Sequence, residues 1–276
     1  MSDPDGFPTV RGGVPRAPMH VRLETRDATG TRCLIRSACV APQGASHSFF
    51  VGGESGLAAF KATESDVRVY NCMEPDARFL GATGHRDDWH FAVDAPEYSN
   101  HLVLSGSRRG GVMMYDVRVK PARHRYLLQH SSSIARIKSM GEYNIVVAGL
   151  EHTLSIYDRR HLKTSNGLPT GKSPTIPYLD LHNHRNEYDH DMDMAVDSSM
   201  HLIAAAQAGD DENIVRIWDS KSGDCVRTLS VKEGWEKDMN GSYKKASQVR
   251  FCDLSGSGGP NSLLVAKGTD IMEYGL

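Results

Sequence analysis

One stretch limits what this chain can become. Over residues 213–219 an apolar, β-branched run ends in Trp218-Asp219; a polar turn containing Gly223 follows, and a second strand-like run covers residues 225–229. Such a sequence reads as strand, tight turn, strand. A single sheet of this kind cannot bury both of its faces, so the feature predicts repetition along the chain. The pattern does recur. Residues 66–71 have the same shape, with Tyr70-Asn71 at the end; residues 112–116 end in Tyr115-Asp116; residues 153–158 end in Tyr157-Asp158; and residues 270–275 carry Tyr274 in the aromatic position. These aromatic anchors lie 45, 42, 61 and 56 residues apart. The two longer intervals hold polar insertions, at residues 162–177 and 232–245, which fall between strands. An apolar strand precedes each unit, as at Phe91-Ala92-Val93 and Ile134-Ala135-Arg136-Ile137.

A Trp-Asp strand end with a period of about 40–45 residues resembles the WD repeat. The resemblance implies an all-β fold, a β-propeller with about five blades visible in this chain. Tyr70, Trp218, Asp219 and Tyr274 are then structural anchors of the repeats. In a blade of this type a turn histidine, a strand serine, an aspartate and the strand tryptophan form a hydrogen-bonded core, because buried polar groups must be paired. His85, after Gly84, is the better match for such a histidine, and His130 the weaker one. Residues 1–18, rich in Pro, Gly and charge, are expected to be a disordered lead; residues 19–276 hold the blades. Residues 19–26 alternate apolar and charged side chains and read as one exposed strand. That strand either completes the last blade, closing a five-bladed ring, or is the outer strand of a missing neighbour. The second reading, the last five blades of a seven-bladed propeller, is the one adopted.

Composition excludes several function classes. The net charge of −2 gives no field that would draw the chain to nucleic acid or a membrane. No apolar run is long enough to span a bilayer, and the N-terminal residues lack the apolar segment of a secretory signal. Five cysteines without a C-x-x-C pair fit a reducing compartment, so an intracellular location, nucleus or cytoplasm, is expected. Residues 182–193 concentrate His182, His184, His190 and Asp193, which could ligate a divalent metal. The stretch joins a Pro-rich insertion to a strand, and no second cluster supplies further ligands, so a polar loop is the preferred reading. No metal, cofactor or enzymatic activity is expected. The Ser105-Gly106-Ser107-Arg108-Arg109-Gly110-Gly111 run lacks the Lys-Ser/Thr of a phosphate-binding loop and reads as a hairpin. Trp235, in a mixed-charge loop, either anchors a partner or folds back on its blade.

From Leu102 onward the chain resembles one branch of the WD-repeat proteins, the substrate-receptor factors of cullin-4 ubiquitin ligases. The resemblance runs through Ser105-Gly106-Ser107-Arg108-Arg109-Gly110-Gly111-Val112, His130-Ser131-Ser132-Ser133-Ile134, residues 213–228 and residues 247–274. The mark of that family is a W-D-x-R box, used to dock on the damaged-DNA-binding adaptor of the ligase. Here it stands twice as Tyr-Asp-x-Arg: Tyr115, Asp116 and Arg118, then Tyr157, Asp158 and Arg160. After Asp219 the equivalent position is Lys221. The resemblance implies a non-catalytic substrate receptor whose partners are the cullin-4 ligase adaptor and an unidentified protein substrate. Physically, an Asp at a strand end accepts turn N–H bonds, and an Arg two residues on offers a rigid donor fork to a partner carboxylate. The plainer alternatives are that each Arg pairs with a carboxylate of its own blade, and that the chain is a generic WD-repeat scaffold in another complex.

Overall fold

The computed structural model describes residues 25–26, 32–33, 35–42, 48–53, 56–62, 67–73, 90–119, 123–164, 173–187, 192–208, 214–231, 246–254, 262–267 and 270–276. They form five antiparallel sheets arranged as the blades of a β-propeller, with no helix. The first blade comprises Ile35–Val40, Phe49–Gly53, Gly56–Ala62 and Val67–Met73. The second comprises His90–Asp94, Leu102–Ser107, Gly111–Asp116 and Arg123–Gln129. The third has Ile134–Met140, Asn144–Gly149, Leu154–Asp158 and the short Leu179–Asp180. A two-stranded excursion, Lys163–Thr164 with Thr175–Ile176, interrupts it before its last strand. The fourth has Met194–Asp197, Leu202–Ala206, Ile214–Asp219 and Cys225–Ser230. The fifth has three described strands, Ala246–Cys252, Ser262–Lys267 and Asp270–Gly275.

In each blade the strands pair in sequence order, and the first strands of successive blades pack on one another around a central channel of about 1270 Å³. Polar bonds tie these inner strands together. Ser37 Oγ accepts the Val93 amide (3.2 Å). Asp94 accepts the Ser139 amide (2.8 Å) and hydroxyl (2.9 Å) and pairs with Lys138 (3.2 Å). Asp193 accepts the Val249 amide (3.3 Å) and faces Arg136 at 3.6 Å.

The aromatic anchors explain why the sheets stack. Val103 pairs with Tyr115, Ile145 with Tyr157 and Ile203 with Trp218, one register step before each terminal Asp. All three rings are buried, each in the seam with the preceding blade. Tyr115 shares a core cluster with Phe50, Leu57 and Ala59, Tyr157 with Leu104, Val112 and Leu128, and Trp218 with Met140, Val146 and Ile156. Tyr274 is partly buried in the seam between the fourth and fifth blades, against the cluster around Leu263 and Val265. Burying a large apolar side chain contributes about 1.5–3 kcal/mol, so each anchor is a principal term in its seam.

Two expectations are corrected. Tyr70 lies in the outer, fourth strand of the first blade, not in the third. The third strand is Gly56–Ala62, where Ala59 and Phe60 pair with Phe50 and Phe49. Small residues at Ala58 and Ala59 hide this strand, and the next β-branched run takes its place in the pattern. Secondly, residues 19–26 are expected to be the outer strand of a neighbouring blade; their described part, Thr25–Arg26, pairs instead with Arg32–Cys33 in a two-stranded sheet just ahead of the first blade. Ile35 and Val40 on the first strand of the first blade, and Ile271 on the last strand of the fifth, are exposed, whereas the first strand of the second blade is buried throughout. The whole 1–18 lead and the insertion with Trp235 lie outside the described residues.

Candidate protein-docking face

The turns after the third strands of the second, third and fourth blades share one construction. The residue following each Asp donates its amide to the residue that precedes the second strand: Val117 to the His101 carbonyl (3.0 Å), Arg159 to Tyr143 (2.9 Å) and Ser220 to His201 (2.8 Å). The Asp carboxylate then accepts the amide two residues on, from Arg118 (3.0 Å), Arg160 (2.9 Å) and Lys221 (2.6 Å). Asp116, Asp158 and Asp219 are thus equivalent, as are Arg118, Arg160 and Lys221. Side-chain capping of this kind is what Asp does in tight turns. The fourth-blade turn is closed further by Gly223, at φ 80°, whose amide reaches the Asp219 carbonyl at 2.9 Å.

Both arginines fold back onto their own aspartates. Arg118 donates Nε to Asp116 Oδ1 (2.9 Å) and Nη2 to Oδ2 (2.5 Å); Arg160 does the same to Asp158 at 2.9 and 2.6 Å. The hydrogen bonds from Arg118 hold the Asp116 carboxyl below its usual range, and those from Arg160 bring Asp158 to about 2. Yet 63% of the Arg118 side chain and 53% of that of Arg160 remain exposed. The guanidinium groups therefore stand on the surface in a fixed orientation, each with one donor edge committed to its own blade.

Between the two boxes lies a cluster that sequence reasoning missed. Arg159, largely buried, reaches from the third blade to the second. Its Nη1 donates to Tyr98 Oη (2.9 Å), and its guanidinium sits 5.0 Å from the Tyr98 ring centre and 5.9 Å from that of Tyr143. Arg160 covers Tyr143 at 4.3 Å. Glu142 approaches Arg159 Nη2 at 3.6 Å. The available signal was weak: Arg159 repeats the basic character of Arg160, and Tyr143 directly precedes a strand.

No family model matches the chain. It is 25% identical over 152 residues to WD repeat-containing protein 21 of Schizosaccharomyces pombe, an alignment covering 51% of this chain and 34% of that protein. The chain thus spans about a third of that relative's length. Among solved structures, a chain of the mitotic checkpoint complex superposes with a TM-score of 0.56 at 15% identity, over 88% of this chain and 63% of that one. The β-propeller domain of Myceliophteria thermophila Cps50 (Swd1) gives 0.56 at 13% identity, over 88% and 71%. The fold is a WD-repeat propeller.

A histidine lies against each of the three fully buried anchor rings. His90 stacks edge-on to Tyr115 at 6.1 Å, His130 to Tyr157 at 5.9 Å and His184 to Trp218 at 6.1 Å between ring centres. In the second blade the ring against Tyr115 is that of His90, whose Nδ1 is bonded to Ser105 Oγ; His85 lies outside the described residues. His130 is bonded through Nδ1 to Tyr157 Oη (2.7 Å) and through Nε2 to Thr153 Oγ1 (2.9 Å), and Thr153 in turn meets Ser132 Oγ at 2.8 Å. His184, weighed above as a metal ligand, packs edge-on against Trp218 instead, while Trp218 Nε1 donates to the His182 carbonyl at 2.9 Å. Among the described residues no group of three or more metal-ligating side chains converges; His190 lies outside them. Nor does any described helix have the length and apolar character to cross a membrane.

Proposed function

We propose that this chain is a non-catalytic protein-interaction propeller, and that the turn face of its second and third blades docks on the damaged-DNA-binding adaptor of a cullin-4 RING ubiquitin ligase. A protein substrate would be recruited elsewhere on the propeller, and ubiquitin transfer would fall to other subunits. The observation that carries the reading is the pair of Asp–Arg boxes on adjacent blades. The same backbone bond sets both turns, and both guanidinium groups are exposed. Fold alone does not give the partner, since propellers host many functions. Interface arginines held in one orientation are common carriers of binding energy, because little side-chain entropy remains to be lost.

A second reading, a WD-repeat scaffold of another assembly, draws on one observation. Each arginine already has a carboxylate in its own blade, as turns that serve only structure would. The two readings separate on a direct measurement. Arg118→Glu with Arg160→Glu is combined in one chain, folding is checked by circular dichroism, and affinity for purified adaptor is measured. Loss of at least tenfold in affinity by a folded variant supports docking through this face. Unchanged binding, or no binding by the wild-type chain, removes the ligase reading and leaves the scaffold.

A further inference from the structure

We infer that the seam between the second and third blades is itself a recognition site, in which Tyr98, Tyr143 and Arg159 form a clamp for a partner carboxylate flanked by an apolar side chain, and Glu142 occupies the carboxylate's place in the unbound chain. The site shares the face proposed for docking but does not depend on the identity of the adaptor.

Two facts fix the clamp in place. Arg159 is held at both ends, its amide on the Tyr143 carbonyl at 2.9 Å and its Nη1 on Tyr98 Oη at 2.9 Å. Its guanidinium is also flanked by two rings, one from each blade. Little entropy is left to lose on binding, which is the advantage of a preorganised arginine. Both rings nevertheless keep exposed surface, 36% for Tyr98 and 41% for Tyr143. Tyr and Arg are the side chains most concentrated where interfaces derive their affinity, since a ring gives large contact area and a guanidinium gives charged donors.

The partner's chemistry follows from the charges around the clamp. Asp116 and Asp158 are each committed to their own arginine at hydrogen-bond distance, and bidentate pairs of this kind hold firmly. Glu142 differs. Its carboxylate is 3.6 Å from Arg159 Nη2, beyond hydrogen-bond length, and its side chain is 54% exposed. An exposed ion pair of that length holds weakly. A partner carboxylate that reaches 2.8 Å or so would displace it, and an adjoining apolar group would rest on the exposed tyrosine rings.

The test uses the full chain and two probes: a fluorescein-labelled peptide of alternating aspartate and leucine, with a lysine–leucine peptide as control, and the purified adaptor. The peptide decides the clamp. Glu142→Gln is expected to tighten its binding at least threefold, and Tyr143→Ala with Arg159→Ala to weaken it at least tenfold. Glu142→Gln removes only an exposed and weak ion pair, so the fold is expected to persist, and a gain in binding is not something a purely structural role produces. If Glu142→Gln leaves peptide affinity unchanged, or if the wild-type chain prefers the lysine peptide, the clamp is overturned. The adaptor decides the ligase reading separately. A chain that binds the peptide in this pattern but ignores the adaptor retains the clamp and loses the ligase, and the reverse result does the opposite.

Discussion

Ser105 and Ala205 hold the same register position in the second and fourth blades, two residues beyond the partner of the anchor ring. Ser105 Oγ is bonded to His90 Nδ1, whereas His184 above Trp218 finds no hydrogen-bond partner for either ring nitrogen among the described residues. At this register position the two blades differ by one hydroxyl. Ala205→Ser is therefore expected to stabilise the chain by about 1 kcal/mol, the net worth of one buried hydrogen bond. A rise in the urea midpoint checks it. A fall would mean that the new hydroxyl is buried without reaching His184.

Burial pushes His130 and His184 down to about 4, slightly opposed at His130 by Asp180 and reinforced at His184 by His152 and Arg216. In the unfolded chain each histidine takes up its proton near pH 6.5. The stability they provide is thus complete above pH 6.5 and is lost as pH falls from there toward 4, on the order of 3 kcal/mol for each group. Denaturation at pH 7, 6 and 5 should show that slope. In His184→Phe, which keeps an apolar ring on Trp218 but cannot titrate, the slope should fall to about half. An unchanged slope would place the effect on other groups.

Tyr157 is both a seam plug and the hydroxyl partner of His130. Tyr157→Phe keeps the ring and removes the bond, leaving His130 Nδ1 buried without it. A loss of about 1–3 kcal/mol is expected, visible as a lower unfolding midpoint at unchanged m-value.

Gly149 adjoins the same network. A Cβ there would stand 2.6 Å from His130 Nε2 and closer still to the hydroxyls of Ser132 and Thr153. Gly149→Ala must push the network apart, so it is expected to cost about 3 kcal/mol or more. A soluble variant with wild-type stability would show that the network can move as a unit.

Asp158 positions Arg160 while contributing little to the core. Asp158→Asn keeps an acceptor for the Arg160 amide but removes the charge that holds the guanidinium. The denaturation midpoint should stay near wild type while adaptor affinity drops severalfold. Equal affinity would mean that the orientation set by Asp158 has no part in docking.

The anchors Tyr115, Tyr157 and Trp218 were legible because strand, ring, Asp and turn are consecutive in the chain, and local patterning alone puts the ring on a buried face. Tyr70 misled for the same reason. Its stretch has the local pattern, but Gly56–Ala62, poor in bulky side chains, takes the third-strand position once the sheet pairs. His85 follows a glycine as a turn histidine would and lies outside the described residues, whereas the ring that meets Tyr115 is that of His90, which nothing local marked because its partner Ser105 is fifteen residues away.

The repeat and its turns were written in the sequence, since backbone pairing and an Asp-capped turn need only neighbouring residues. What the arginines and histidines touch was decided by the stacking of one sheet on the next. Tyr98 and Arg159 are separated by 61 positions along the chain and meet only because the second and third blades pack side by side. His184 looked like a ligand among ligands until the fourth blade turned it onto Trp218. The physical reason is one of range: hydrophobic period and turn chemistry act over a few residues, while the rotation between blades determines which distant side chains share a seam.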